Sequence, residues 1–88
     1  MAEPGASLRD LDKWLTAEVA RLVGVSPAAV DRDMPFRELG LSSVQAVDLV
    51  AMTEDRYGLA LSPTLLFEHP TLSQVVAAIR DEAAGRSE

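Results

Sequence analysis

The stretch Glu38-Leu39-Gly40-Leu41-Ser42-Ser43-Val44-Gln45-Ala46-Val47-Asp48-Leu49 constrains the fold more than any other part of the chain. It reads as a turn running into a helix. Gly40 supplies the freedom a chain needs where it leaves ordinary backbone space. A hydroxyl residue followed three positions on by Glu or Gln opens a helix as a capping box, and Ser42 with Gln45 fits that pattern. With Ser42 as the N-cap, Ser43 is the first helical residue. Its side chain then lies beside unpaired backbone N–H groups, at the positive end of the helix dipole. A phosphate attached there would sit in a favourable field.

On either side of this turn the apolar residues recur at helical spacing. Leu8, Leu11, Leu15, Val19 and Leu22 form one face of a first helix. It is expected from about Leu8 to Val23, with Ser7 as N-cap, Asp10 in the first turn and Gly24 as its stop. Trp14 lies beside that stripe as a partly buried packing residue. Gly24 to Ser42 is a long connection, with a brief helical turn from Ser26-Pro27 to Val30 and Val25, Val30, Met34, Phe36 and Leu39 as its anchors. The second helix is expected from Ser43 to Tyr57, ended by Gly58. Its broad apolar face is Val44, Val47, Leu49 and Val50, extended by Ala51 and Met52, with Val44 and Met52 open to either an exposed-contact or a core role; Asp48, Glu54 and Asp55 are its acidic points. Leu59-Ala60-Leu61 alternates like a strand but is too short to build a sheet. Ser62-Pro63 opens a short third helix, roughly Pro63 to Phe67, and His69-Pro70 ends it. Thr71 with Gln74 is a second capping box, and Leu72, Val75, Val76 and Ile79 mark the buried face of the fourth helix. Arg80, Asp81 and Glu82 begin its polar end, and residues 84–88 are expected to fray. The pattern predicts an all-α fold, a small four-helix bundle of three main helices and one short one.

The chain has 88 residues, enough for one domain. A division into a lead-in at 1–7, a domain at 8–82 and a tail at 83–88 follows from where the periodicity starts and stops. Aromatics are few (Trp14, Phe36, Tyr57, Phe67), so the core must be aliphatic. A net charge of −6 disfavours a nucleic-acid binder, which needs a basic surface against phosphates. No apolar run reaches the length of a membrane span, and the first residues lack a signal-peptide pattern. A cytoplasmic monomer is the expectation.

Catalytic residues are scarce. There is no cysteine and one histidine, which leaves no plausible zinc site. Serine needs a base to act as a nucleophile. A triad of Ser43, His69 and an aspartate is the one arrangement available, and such triads sit in larger folds with an oxyanion hole. An unmodified helical interaction module is a second reading, suggested by the acidic helix.

Leu39-Gly40-Leu41-Ser42-Ser43-Val44 resembles the phosphopantetheine attachment site of acyl carrier proteins. Phe36-Arg37-Glu38-Leu39-Gly40 resembles that family's approach to the modified serine, and Leu66-Phe67-Glu68-His69-Pro70-Thr71-Leu72 resembles the segment before its last helix. The likeness spans roughly Leu8 to Ile79. One departure stands out: Ser42 occupies the place where the family most often has Asp. The resemblance implies an acyl-carrier-type bundle that is a substrate of enzymes and not a catalyst. By it, Ser43 takes a 4′-phosphopantetheine arm from coenzyme A through a phosphopantetheinyl transferase. The arm's thiol then holds an acyl group as a thioester. The wording of the motifs is most similar to carrier domains of polyketide synthases. That implies ketosynthase, acyltransferase and related enzymes as partners, with Val44, Asp48, Met52 and Glu54 as contacts on the helix that begins at Ser43. Peptidyl and fatty-acid carriers are the alternatives within the family.

Overall fold

A computed structural model of the chain describes residues 8–86; Ser7, the expected first cap, and the 1–7 lead-in lie outside them. Leu8–Asp10 form a single 3-10 turn, and the first helix, α1, spans Leu11–Val23, three residues later than expected. Asp10 accounts for the shift. Its carboxylate does not serve the first turn of a helix but reaches across to accept hydrogen bonds from the Arg56 guanidinium and the Tyr57 hydroxyl, both at 2.8 Å. Gly24 ends α1 as expected, with a φ of 81° and its N–H on the Ala20 carbonyl.

The long connection holds two short helical pieces. One is the expected turn, at Pro27–Ala29. The other, α2 at Phe36–Leu39, was not expected. Gly40 closes it with a φ of 103°, a value only glycine adopts easily. The Phe36 N–H donates to the Pro70 carbonyl at 2.8 Å, which stitches α2 to the far end of the chain. Of the expected anchors, Val30 and Phe36 are buried and Met34 and Leu39 half-buried, whereas Val25 is exposed. A polar anchor adds to them. The Arg32 guanidinium pairs with Asp12 and donates to Ser73 Oγ, and the Arg32 carbonyl accepts the Ser73 N–H.

The next helix, α3, spans Ser43–Tyr57 and stops at Gly58, as expected. Its faces correct the sequence reading. Ala46, Leu49, Val50, Thr53 and Tyr57 are buried, while Val44 is 71% exposed and Val47 41%. Thr53, 1% exposed, pairs its hydroxyl with the Leu49 carbonyl at 2.7 Å and so enters the core without a lost hydrogen bond. The fourth helix, α4, is Leu65–Glu68, two residues later than expected, because Ser62 Oγ accepts the Thr64 N–H and holds Pro63-Thr64 as a turn. The last helix, α5, spans Leu72–Arg86 and passes the expected polar end at Arg80–Glu82 without stopping. Thr71 Oγ1 accepts the Gln74 N–H at its start. No strand occurs among the described residues.

The core is aliphatic. Leu11, Leu15 and Val19 of α1 meet Leu49 of α3 and Leu72, Val75 and Ile79 of α5, all essentially solvent-free. The two poles of α1 have different neighbours. At its start, Leu8 and Arg9 share a cleft with Arg80, Ala83 and Ala84 of α5, and Arg80 donates to the Leu8 carbonyl. At its far end it meets the beginning of α3.

One cluster ties α1 to the end of α3. The rings of Trp14 and Tyr57 meet edge to face with centroids 5.7 Å apart. The Arg56 guanidinium carbon lies 5.1 Å from the Trp14 centroid and 5.4 Å from that of Tyr57. The Tyr57 hydroxyl and then Arg56 hold the Asp10 carboxyl below its ordinary pKa, and burial pushes the Tyr57 hydroxyl up. A lowered folded pKa gives stability that is complete above the unfolded value, about 4, and is lost as pH falls through the folded value. A raised tyrosine pKa gives the opposite limb, lost as pH rises above about 10. Asp10→Asn is therefore expected to flatten the acid limb of a urea-midpoint profile below about pH 4 and to leave its neutral plateau sloped as before. An unchanged acid limb in the variant would assign that limb to other carboxylates.

Candidate functional site: the serine turn at the start of α3

The turn that sequence singled out has the expected geometry. Ser42 is extended, with φ −79° and ψ 166°, and caps α3. Its Oγ accepts the Gln45 N–H at 3.1 Å, and the Gln45 side-chain oxygen accepts the Ser42 N–H at 3.0 Å. Both halves of the capping box are thus made. Ser43 opens the helix and is exposed. Among the described residues nothing claims its hydroxyl, whereas that of Ser42 is engaged by the cap.

Beside Ser43 lies a cleft of about 590 Å³ between α2, α3 and α4. Phe36, Leu41, Ala46, Leu66 and Phe67 give it apolar walls, and Arg37 is the charged residue among its described lining. Phe67 remains 53% exposed. Neither Phe67 nor Arg37 is marked by local sequence pattern as a neighbour of the serine turn. The Phe36–Pro70 hydrogen bond, which brings α2 and the α4–α5 junction together, is a contact across 34 positions that local pattern cannot show.

The other candidate residues are spread unevenly. Val44 and Asp48 are exposed near the start of α3, and Met52 is half-buried. Glu54 is already in use: its carboxylate accepts the Leu61 N–H at 2.7 Å and pins the segment after Gly58. His69 lines a separate cleft with Glu68, Asp81 and Glu82 and takes no part in the lining around Ser43. The structure therefore does not bring the serine and the histidine of the hypothetical triad to one site.

Residues 13–79 match the family model described as a phosphopantetheine attachment site. The chain belongs to that carrier family. Members carry a covalently attached 4′-phosphopantetheine group, and the family is one of non-catalytic carriers. Among sequenced relatives, this carrier chain is 40% identical over 68 residues to mycoketide-CoA synthase of Mycobacterium tuberculosis, a match that covers 76% of it and 2% of that protein. It is 43% identical over 68 residues to erythronolide synthase EryA3 of Saccharopolyspora erythraea, again 76% of the chain and 2% of the relative. Malformin synthetase of Aspergillus niger is 41% identical over 78 residues, 89% of the chain and 2% of the relative. The carrier chain thus spans about one-fiftieth of the length of these proteins. Among solved structures, a free-standing peptidyl carrier protein from Acinetobacter baumannii superposes with a TM-score of 0.80 at 28% identity, covering 88% of this chain and 96% of that one. The HMG-ACPI domain from the CurA module of Lyngbya majuscula gives 0.78 at 22% identity, covering 100% and 91%, which supports the helical carrier fold. No helix among the described residues is long and apolar enough to cross a membrane.

Proposed function

We propose that this chain is an acyl carrier domain of a polyketide synthase and that Ser43 bears its 4′-phosphopantetheine. The observation that carries the assignment is the free, exposed hydroxyl of Ser43 at the first position of α3, inside the family match, beside a neighbour whose hydroxyl is already bonded. The residues suit the group. A phosphodiester on Ser43 would be favoured by the unpaired N–H groups that open a 15-residue helix, and Arg37 lines the cleft beside Ser43. The group supplies a terminal thiol that holds an acyl unit as a thioester and raises its local concentration at partner active sites. In the loading step a phosphopantetheinyl transferase supplies the base. Ser43 Oγ gives up its proton and bonds to phosphorus, and the nucleotide half of coenzyme A leaves. The chain's own part is to present Oγ on a rigid turn.

Incubation with coenzyme A and a broad-specificity transferase tests the assignment by intact mass. One added arm, found by proteolysis on the peptide containing Ser43, is expected; a folded chain that gains none would overturn it. The likeness to a solved peptidyl carrier favours a second reading, loading by an amino-acid-activating enzyme. Acceptance of an aminoacyl group and refusal by ketosynthase and acyltransferase partners would select it.

Partner contact falls to the outward face of α3. Asp48 is exposed one turn and a half from Ser43, and Val44 stands out beside it. Asp48→Lys is expected to slow acyl transfer to a cognate polyketide-synthase partner about tenfold, through encounter and docking, with unchanged thermal stability. Equal transfer rates for the two proteins would remove Asp48 from the contact. Glu54 is a poorer probe than sequence suggested, since its reversal also frees the Leu61 N–H.

A further inference from the structure

We infer that Gln45 is a positioning residue for the Ser43 hydroxyl, acting through the end of α1; the inference rests on the carrier reading above. Its side chain bonds in two directions. Oε1 accepts the Ser42 N–H at 3.0 Å, and Nε2 donates to the Leu22 carbonyl oxygen at 3.1 Å. The first bond belongs to the capping box, which any helix so capped would have. The second does not. It reaches back across 23 positions to a different helix.

Leu22 lies in the last turn of α1, where carbonyls have no helical partner. The Ala20 carbonyl takes the N–H groups of both Gly24 and Val25, and the Leu22 carbonyl takes Gln45. The same seam is close at Gly40, where an added Cβ would stand 4.0 Å from the Val23 side chain. One amide group therefore fixes the backbone of Ser42 relative to two helices, and Ser43 follows one peptide later. A carboxylate at this position accepts but cannot donate. Glutamate, the other usual third residue of a capping box, would keep the cap and lose the tie to α1. With Ser42 as a neutral cap, the orientation of the serine turn depends on geometry, and Gln45 supplies it.

Gln45→Glu separates the two bonds. The apo wild type, Gln45→Glu, Gln45→Met and a mild core variant on α5, Ile79→Val, are compared for steady-state arm transfer by a phosphopantetheinyl transferase. Amide exchange at Ser42 and urea midpoints are read on the same samples. Gln45→Glu is expected to keep Ser42 amide protection and to lose about tenfold in kcat with KM for the chain unchanged. Gln45→Met is expected to lose both protection and rate. Ile79→Val is expected to transfer at the wild-type rate despite a lowered midpoint. A wild-type rate in Gln45→Glu, or an equal loss in Ile79→Val, overturns the positioning role while the carrier reading stands. A wild type that accepts no arm overturns the carrier reading and the positioning role with it.

Discussion

Ser43→Ala is expected to abolish loading of the arm, with no mass gain under conditions that convert the wild type fully. The substitution removes the hydroxyl that no cap engages and leaves that of Ser42, which accepts the Gln45 N–H. It should leave the fold intact, because the Ser43 side chain is exposed and makes none of the capping bonds. Ser42→Ala is the informative companion. It deletes the acceptor of the Gln45 N–H, a loss worth about 1 kcal/mol at a helix N-cap, yet it keeps the nucleophile. Full stoichiometry at a reduced rate is expected for it. Circular dichroism and intact mass read both variants. A Ser43→Ala protein that still gains the arm would move the site by one residue, to Ser42.

Leu49→Ala is expected to destabilise the fold strongly, as truncation of any of the fully buried leucines would. Leu49 is wholly buried where α3 meets the core; the Thr53 hydroxyl bonds to its backbone carbonyl, which the substitution keeps. Removing a buried leucine side chain costs about 3 kcal/mol once the residual cavity is included. For a domain of this size that is a large part of a total stability on the order of 5–15 kcal/mol. A fall of roughly 15 °C in thermal midpoint follows. Val44→Ala, only five residues earlier on the same helix, is the contrast, with a change within about 0.5 kcal/mol because Val44 is exposed. Equal losses at the two positions would mean that α3 packs through another face. Arm loading of Leu49→Ala measured well below its midpoint should be close to normal, which separates stability from site chemistry.

Leu49 and Val44 show where the sequence is readable and where it is not. The limits of α3 were legible at both ends, because Ser42 with Gln45 and Gly58 each have a local mechanism that needs no tertiary partner. Which side of α3 is buried was legible only in part. Leu49 and Val50 are buried as the apolar pattern has them and Val44 is exposed, but Val47 stands outside the core face and Thr53 and Tyr57 complete it, which a count of apolar residues does not show. The short α2 hid inside a connection because four residues carry no periodicity; only Pro35 before it and Gly40 after it marked its bounds. The start of α1 was misjudged because the partners of Asp10 lie 46 and 47 positions away. The same holds at the site. The serine turn was plain from its own residues, but the tie from Gln45 to Leu22, the Arg37 lining and the cleft against Phe67 depend on elements that meet only in the folded chain. Glu54 has the residue type of a partner contact, and its bond to the Leu61 amide, seven positions on, is seen only in the folded chain.

The opposite poles of α1 have a mechanical consequence. Leu8 and the last turns of α5 adjoin at one pole, and the serine turn sits at the other, separated by the 13 residues of α1. That distance is about 20 Å at the helical rise. The folded unit is therefore a lever. At the first pole Leu8 and α5 are joined to each other through Arg80, and the turn that opens at Ser43 lies away from that junction. Rotation of the folded unit about the Leu8 pole would carry Ser43 along an arc of about 20 Å radius with the turn around it unchanged.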